Sequence, residues 1–233
     1  MKKYLKESKI NTTNKKALFV DVDHTIVDGS TPVLFLRFLL KNKIITKKTF
    51  FKGLLYELLF YLGIIRYNST IKMQSYFKKN NTNEIVNEII QRFWQEEVKP
   101  RIFKEVLELI KSYKKSDYKI VMISATPDII LRPLEKFLNV DYNLSSKIII
   151  NRDGFKIIRY AMKWNKYRII KKFARENKID LKKSVSCSDG KNDIPMLLAC
   201  KEKLVVNPKI FVLIIAFIKR WKILRFKEHL ESK

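Results

Sequence analysis

Cysteine is nearly absent: Cys187 and Cys200 are the only two in 233 residues. That excludes a disulfide-stapled secreted scaffold and makes a reducing, cytoplasmic compartment the expectation. Histidine is as scarce, and neither His24 and His229 nor the two cysteines show the spacing of a zinc site. Five glycines and six prolines are too few for a fibrous or low-complexity chain. Acids are short as well, 23 against 49 basic residues, which leaves a formal net charge of +26. Long apolar runs are missing too. Phe50 to Ile65 is broken by Lys52 and Glu57, and Ile210 to Ile218 is a run of nine between Lys209 and Lys219. Both fall short of the roughly 20 residues that span a bilayer. Residues 1–15 read as a basic tail, without the apolar core of a signal peptide.

The positive excess fits nucleic acid, an anionic membrane or an anionic substrate. Lysines are spread along the chain and abound together with Asn and Ile, a sign of compositional drift rather than a selected patch. No helix-turn-helix, zinc finger or aromatic-rich RNA motif occurs, so no specific nucleic-acid partner is expected.

What is present is enough for one α/β core with an inserted subdomain, since apolar residues make up 46% of the chain. Residues 16–21 read as a first buried strand. From Pro32 to Pro100 the apolar spacing is helical: Leu34, Phe35, Phe38 and Leu39 form one stripe, Ile85, Ile89, Ile90 and Phe93 another. Tyr118 to Ile123 is a near-continuous apolar run, as in a strand buried on both faces. Asp153-Gly154 between two β-branched runs signals a hairpin over Lys147–Ile158. Tyr167–Arg175 reads as a helix, Val185–Cys187 as a strand, Ile194–Cys200 as a helix and Leu204–Asn207 as a strand. Such alternation implies a Rossmann-like parallel sheet, with ligands beyond the carboxyl ends of its strands. The expected division is a core of residues 16–29 and 101–233 and a helical cap of residues 30–100.

Polar residues gather at those strand ends. Asp21 and Asp23 follow the first strand, Ser124 and Thr126 the second, and Ser188, Asp189, Asn192 and Asp193 the third, while Lys166 opens a helix between them. Taken singly, each Asp is a turn or helix-cap residue, Ser124 is a cap before Pro127, and Lys163 is a fallback for Lys166. Two carboxylates two residues apart also occur in metal-dependent glycosyltransferases.

Together, Asp21-Val22-Asp23-His24-Thr25-Ile26, Ile123-Ser124-Ala125-Thr126-Pro127, Lys166 and Ser188-Asp189-Gly190-Lys191-Asn192-Asp193 resemble the four motifs of the haloacid dehalogenase superfamily. The branch they resemble is subfamily IB, the phosphoserine-phosphatase-like hydrolases. Lys166 precedes Asp189 by 23 positions, a spacing common in that branch. Ile194-Pro195-Met196-Leu197 and Val206-Asn207-Pro208 extend the likeness over residues 16–226.

The resemblance implies a magnesium-dependent phosphomonoesterase. In it Asp21 is the nucleophile that forms an aspartyl-phosphate, and Asp23 is the acid and base. Ser124, Thr126, Lys166 and Asn192 contact the phosphate. Mg2+ lies on the side chains of Asp21 and Asp189 and the carbonyl of Asp23, and Asp193 orients Lys166 or a metal water. Asp23 argues against dehalogenation, which has no alkoxide to protonate.

Three departures stand out. His24 fills a position that is often small or amidic. Trp164-Asn165 precedes Lys166 where a glycine is usual nearby. Asp28-Gly29-Ser30 offers no clear acid for an amine, which disfavours phosphoserine as substrate. Phe35, Phe38, Phe50, Phe51, Tyr56, Phe60 and Tyr61 make the cap apolar, through its own packing or toward a small-molecule or lipid phosphate. The basic surface and Ile210–Phe226, with Trp221, suit peripheral contact with an anionic membrane. The competing reading is an inactive basic protein on the same fold, binding membrane or nucleic acid.

Overall fold

The computed structural model describes residues 15–62, 83–151 and 154–230. Most of the expected basic tail, the middle of the expected cap and Asp153 of the hairpin turn lie outside these residues, as do the side chains of Phe60 and Tyr61.

Strand β1 (Lys16–Val20) is almost wholly apolar because both its faces are covered. Leu18 and Val20 face one layer, with Phe38, Phe93, Val106, Ile110, Leu131 and Leu134. Ala17 and Phe19 face the other, with Ile170, Phe173 and Met196. Strands β2 (Tyr118–Met122) and β6 (Val185–Ser188) flank β1, both parallel to it. Beyond them lie β3 (Tyr142–Asn143) on one side and β7 (Glu202–Val206) and β8 (Lys222–Leu224) on the other, giving the order β3-β2-β1-β6-β7-β8.

The chain leaves β1 toward β2 and returns on its other side as β6, so the crossovers diverge there and open a crevice at the carboxyl ends. Register aligns those ends: Val20 pairs with both Met122 and Cys187. The amide of Asp21 donates to the Cys187 carbonyl at 3.0 Å, and that of Ile123 to Val20 at 3.0 Å.

Helices α1 (Thr31–Lys41), α2 (Lys47–Leu62) and α3 (Asn83–Phe93) are inserted between β1 and β2 as a helical cap. The helical stretch ends less regularly than its spacing predicts: Trp94–Val98 is a π turn and Lys99–Arg101 a 3-10 turn, with Pro100 cutting the hydrogen-bond ladder. Entry and exit meet: Val27 and Ile102 form an antiparallel bridge, and Asp28 N–H donates to the Arg101 carbonyl at 2.8 Å.

Helices α4 (Lys104–Lys115) and α5 (Asp128–Leu138) cover one face of the sheet and α6 (Trp164–Glu176) the other. Strands β4 (Lys147–Asn151) and β5 (Gly154–Arg159) pair antiparallel as the hairpin. Helix α7 spans only Ile194–Leu197, shorter than the expected Ile194–Cys200. Its last turn is given up so that the chain can enter β7 at Glu202. Helix α8 (Ile210–Ile218) packs Val212 and Ala216 against Leu197 and Val205. Among the described residues no helix is long and apolar enough to cross a membrane.

Candidate active site

Strand ends and one helix start build the site. Asp21 is the first residue past β1 and is buried. Lys166 lies in the first turn of α6, and only 3% of it is exposed. Its ammonium reaches Asp21 Oδ1 at 2.6 Å and Asp193 Oδ1 at 2.7 Å. Asp193 Oδ2 accepts a hydrogen bond from the Ser188 hydroxyl at 2.9 Å. Carboxylate oxygens of Asp21, Asp189 and Asp193 lie within 4.8 Å of one another.

Three carboxylates so close repel one another. Burial, and then Asp193, push the Asp21 pKa well up; Lys166 pulls the other way. Burial and Asp193 raise Asp189 to about 7. Burial disfavours the Lys166 ammonium, yet Asp193 and Asp21 outweigh it and hold its pKa well above the ordinary lysine value. A cluster of hard oxygen donors with surplus negative charge fits a small divalent cation such as Mg2+.

Asp23 sits at the seam between core and cap. Its Oδ1 accepts the Thr31 amide at 2.6 Å and the Thr31 hydroxyl. Its Oδ2 accepts the Ser124 hydroxyl at 3.2 Å and the Thr126 hydroxyl at 3.0 Å. Helix α1 has no side-chain cap of its own on Ser30 and no acid in its first turn. Asp23 supplies both from outside, satisfying an orphan amide at the positive end of the helix.

Above these groups lies a crevice of about 400 Å³, lined by Asp21, Asp23, Lys166, Asp189, Asn192 and Asp193, among others. The structure thus brings six of the eight expected site residues to one cavity. Ser124 and Thr126 stand behind its wall, and Ala125 is the lining residue between them. Both were expected to contact the phosphate; in the structure both hydroxyls hydrogen-bond Asp23, and that of Thr126 also meets the Thr31 hydroxyl at 2.8 Å. Asp193, expected behind the metal, stands within the carboxylate group itself as well as on Lys166. Lys163, the fallback, caps α6 and does not line the crevice.

Two contributors went unread in the sequence. Thr31 was signalled only by its place ahead of Pro32 at a helix start. Glu57 is the one acid in α2 and lines the crevice from the cap; burial and Asp23 raise its pKa to about 7. Cys187, in β6, is fully buried, and that burial lifts its thiol far above the usual range, away from nucleophilic use.

A parallel sheet, an acidic crevice at its switch point and an inserted helical lid define a Rossmann-like hydrolase. The haloacid dehalogenase-like hydrolase family matches residues 18–198, and the chain belongs to that family. Its fold is similar to that of phosphoserine phosphatases. Similar proteins include the "inhibition of morphological differentiation protein" of Streptomyces azureus, 22% identical over 94% of this chain and 81% of its own. A "probable phosphatase" of Mycobacterium tuberculosis is 23% identical over 91% of this chain and 76% of its own. Among solved structures, a Bordetella pertussis protein of unknown function superposes with a TM-score of 0.80 at 14% identity, over 91% of this chain and 98% of its own. A phosphoserine phosphatase, solved as a phospho-aspartyl intermediate analogue, gives a TM-score of 0.62 at 20% identity, over 93% and 95%. These superpositions show a shared fold.

Proposed function

We propose that this hydrolase cleaves a small-molecule or lipid phosphate monoester through an aspartyl-phosphate on Asp21, with Mg2+ as cofactor. One observation carries the reading: a buried ammonium, Lys166, is clamped between Asp21 and Asp193 at 2.6 and 2.7 Å, beside Asp189.

Asp21 attacks phosphorus and the bond to the ester oxygen breaks. Asp23 gives that oxygen its proton, then takes one from the water that attacks the aspartyl-phosphate, so phosphate leaves and Asp21 is restored. Lys166 keeps its charge beside the nucleophile and lowers the repulsion between carboxylate and phosphate dianion. Ser124 and Thr126 hold Asp23 from the core and Thr31 holds it from the cap, so the proton donor keeps one position through both half-reactions. Asn192, on the crevice wall, is a phosphate contact. Asp21 and Asp189 would hold the metal together with the carbonyl of Asp23, and Asp193, whose two oxygens meet Lys166 and Ser188, would orient Lys166 or a metal water beside them. When bound, Mg2+ supplies a Lewis acid that offsets the crowding of the carboxylates.

The cap we take as residues 30–100, leaving and rejoining the core at the Val27–Ile102 bridge. It carries the specificity, and its apolar side chains suit an apolar leaving group. The two buried, free thiols suit a cytoplasmic location.

Hydrolysis of p-nitrophenyl phosphate, with and without Mg2+, tests the reading. We expect magnesium-dependent turnover that falls on the order of a thousandfold or more in Asp21→Asn. Wild-type protein that binds polyanions but turns over no ester in a panel of sugar and lipid phosphates would instead favour the inactive binding protein.

A further inference from the structure

Helix α8 is apolar on both sides. Its inner side, Val212 and Ala216, is buried. Its outer side is not: Phe217 is 81% exposed, Ile210 71% and Ile218 68%, with Phe211 and Ile214 also exposed. Positions 210, 211, 214, 217 and 218 recur at helical spacing, so they form one continuous apolar stripe. A soluble surface helix carries polar residues on that side; here none occurs between Lys209 and Lys219.

The two ends of α8 lie at opposite ends of the sheet. The helix follows β7, so it begins at the carboxyl ends, where Ile210, Phe211 and Val212 line the crevice. It precedes β8, so it finishes at the amino ends. There a groove of about 660 Å³ is lined by eight Lys and Arg side chains, among them Lys182, Lys183, Lys203, Arg220 and Lys222, against one acid, Glu202. Trp221 lines the groove as well. Across the crevice mouth, α2 presents a second exposed stripe, Phe51, Leu55 and Leu58, at the same helical spacing, one residue on from Glu57.

From this arrangement we propose that α8 docks the protein flat on an anionic lipid bilayer. The Ile210–Ile218 stripe enters the headgroup boundary and the adjoining basic groove holds lipid phosphates. Charge complementarity selects this occupant. A second copy would bring another net +26 to a face already crowded with cations, whereas an anionic bilayer offers both an apolar boundary and neutralising charge. The nine residues of α8 extend only about 14 Å, too short to span and suited to lying in the interface. Docked this way, the crevice opens within one helix length of the lipid surface. The docking itself does not depend on the catalytic reading.

The test is cosedimentation of the full chain with vesicles of equal parts phosphatidylcholine and phosphatidylglycerol, against phosphatidylcholine alone. We expect binding to the anionic vesicles only, weakened by salt. Phe217→Ser with Ile218→Ser should lower the partition coefficient about tenfold or more, and Arg220→Ser with Lys222→Ser by about tenfold. Turnover of a soluble ester should be unchanged in the first pair, and Asp21→Asn should bind vesicles as wild type does. In unaltered protein, anionic vesicles should shift tryptophan emission to the blue, and Trp221→Phe should lose that shift. Three results overturn the proposal: no sedimentation with anionic vesicles, sedimentation indifferent to residues 217 and 218 (as for a plain polyanion binder that takes RNA equally well), or an apolar pair that governs dimerisation in sedimentation velocity and not vesicle binding.

Discussion

At the scale of single residues, the motif departures have backbone causes. Lys163, which caps α6, sits at φ 49° and ψ −131°, a region that side chains beyond glycine enter at a cost of about 1–3 kcal/mol. The glycine usual near the third motif thus has its conformational counterpart here, three residues before Lys166, occupied by a lysine. We expect Lys163→Gly to raise stability by about 1 kcal/mol or more, read as a higher urea midpoint with unchanged slope; a lower midpoint would refute the strain. His24 is in the left-handed region as well, at φ 58°, which explains why small or amidic residues suit that place. Gly29 is at φ 136°, and a Cβ there would meet Leu34 Cδ1 at 3.3 Å. Its carbonyl accepts the His24 amide, closing the loop that carries Asp23. Gly29→Ala should therefore cost about 1–3 kcal/mol and loosen Asp23, so turnover should fall more than the melting point alone explains. Thr25 presents the reverse case. Its hydroxyl is buried with no hydrogen-bond partner among the described residues, so Thr25→Val should be neutral or stabilising by about 1 kcal/mol.

At the scale of elements, legibility followed burial. β1 and β2 were readable because a strand covered on both faces leaves an unbroken apolar run, and their ends carried Asp21 and Ser124 with them. Edge elements were not. β3 has two residues and β8 three, stretches set by pairing with a neighbour rather than by their own composition. Helices α4 and α5 announce themselves only through the sheet face they cover, and Pro133 lies inside α5. That the cap closes over the crevice was legible, but not which of its residues reach in: the side of α2 that faces the core depends on how the cap folds back. Only in three dimensions does Glu57 become a lining residue. Its pKa of about 7, against an ordinary 4.5, follows from burial and from Asp23. The ionised form is thus disfavoured in the folded chain, and that cost is felt above about pH 7 and absent below about pH 4. Glu57→Gln should accordingly stabilise the protein at about pH 8, by about 1–3 kcal/mol, and leave it nearly unchanged near the lower limit. Equal effects at both pH values would mean that the carboxyl is solvated and that α2 does not close over the site.

At the scale of the whole molecule, a chain of net charge +26 still sets three of its 23 acids where they repel. The general excess of lysine is spread widely, yet Asp21, Asp189 and Asp193 share one small volume with a single buried ammonium between two of them. That arrangement is costly without a cation, and its cost is set by pH. Asp189 carries a folded pKa of about 7 against an ordinary 3.8, and Asp21 is pushed in the same direction. Between those limits the folded chain holds protons that the unfolded chain has released, so stability is fullest below about pH 4 and is lost as pH rises through about 7. In metal-free buffer the melting temperature should fall by several degrees between about pH 5 and about pH 8, at about 2–4 °C per kcal/mol for a chain of this length. Magnesium should act in the opposite sense, because it needs the ionised carboxylates that protons compete for. Its stabilising shift should be slight at about pH 5 and large at about pH 8, and Asp189→Asn should flatten both curves. A magnesium shift independent of pH, or one that survives Asp189→Asn, would place the ion elsewhere and detach the acidic crevice from the chemistry we assign to it.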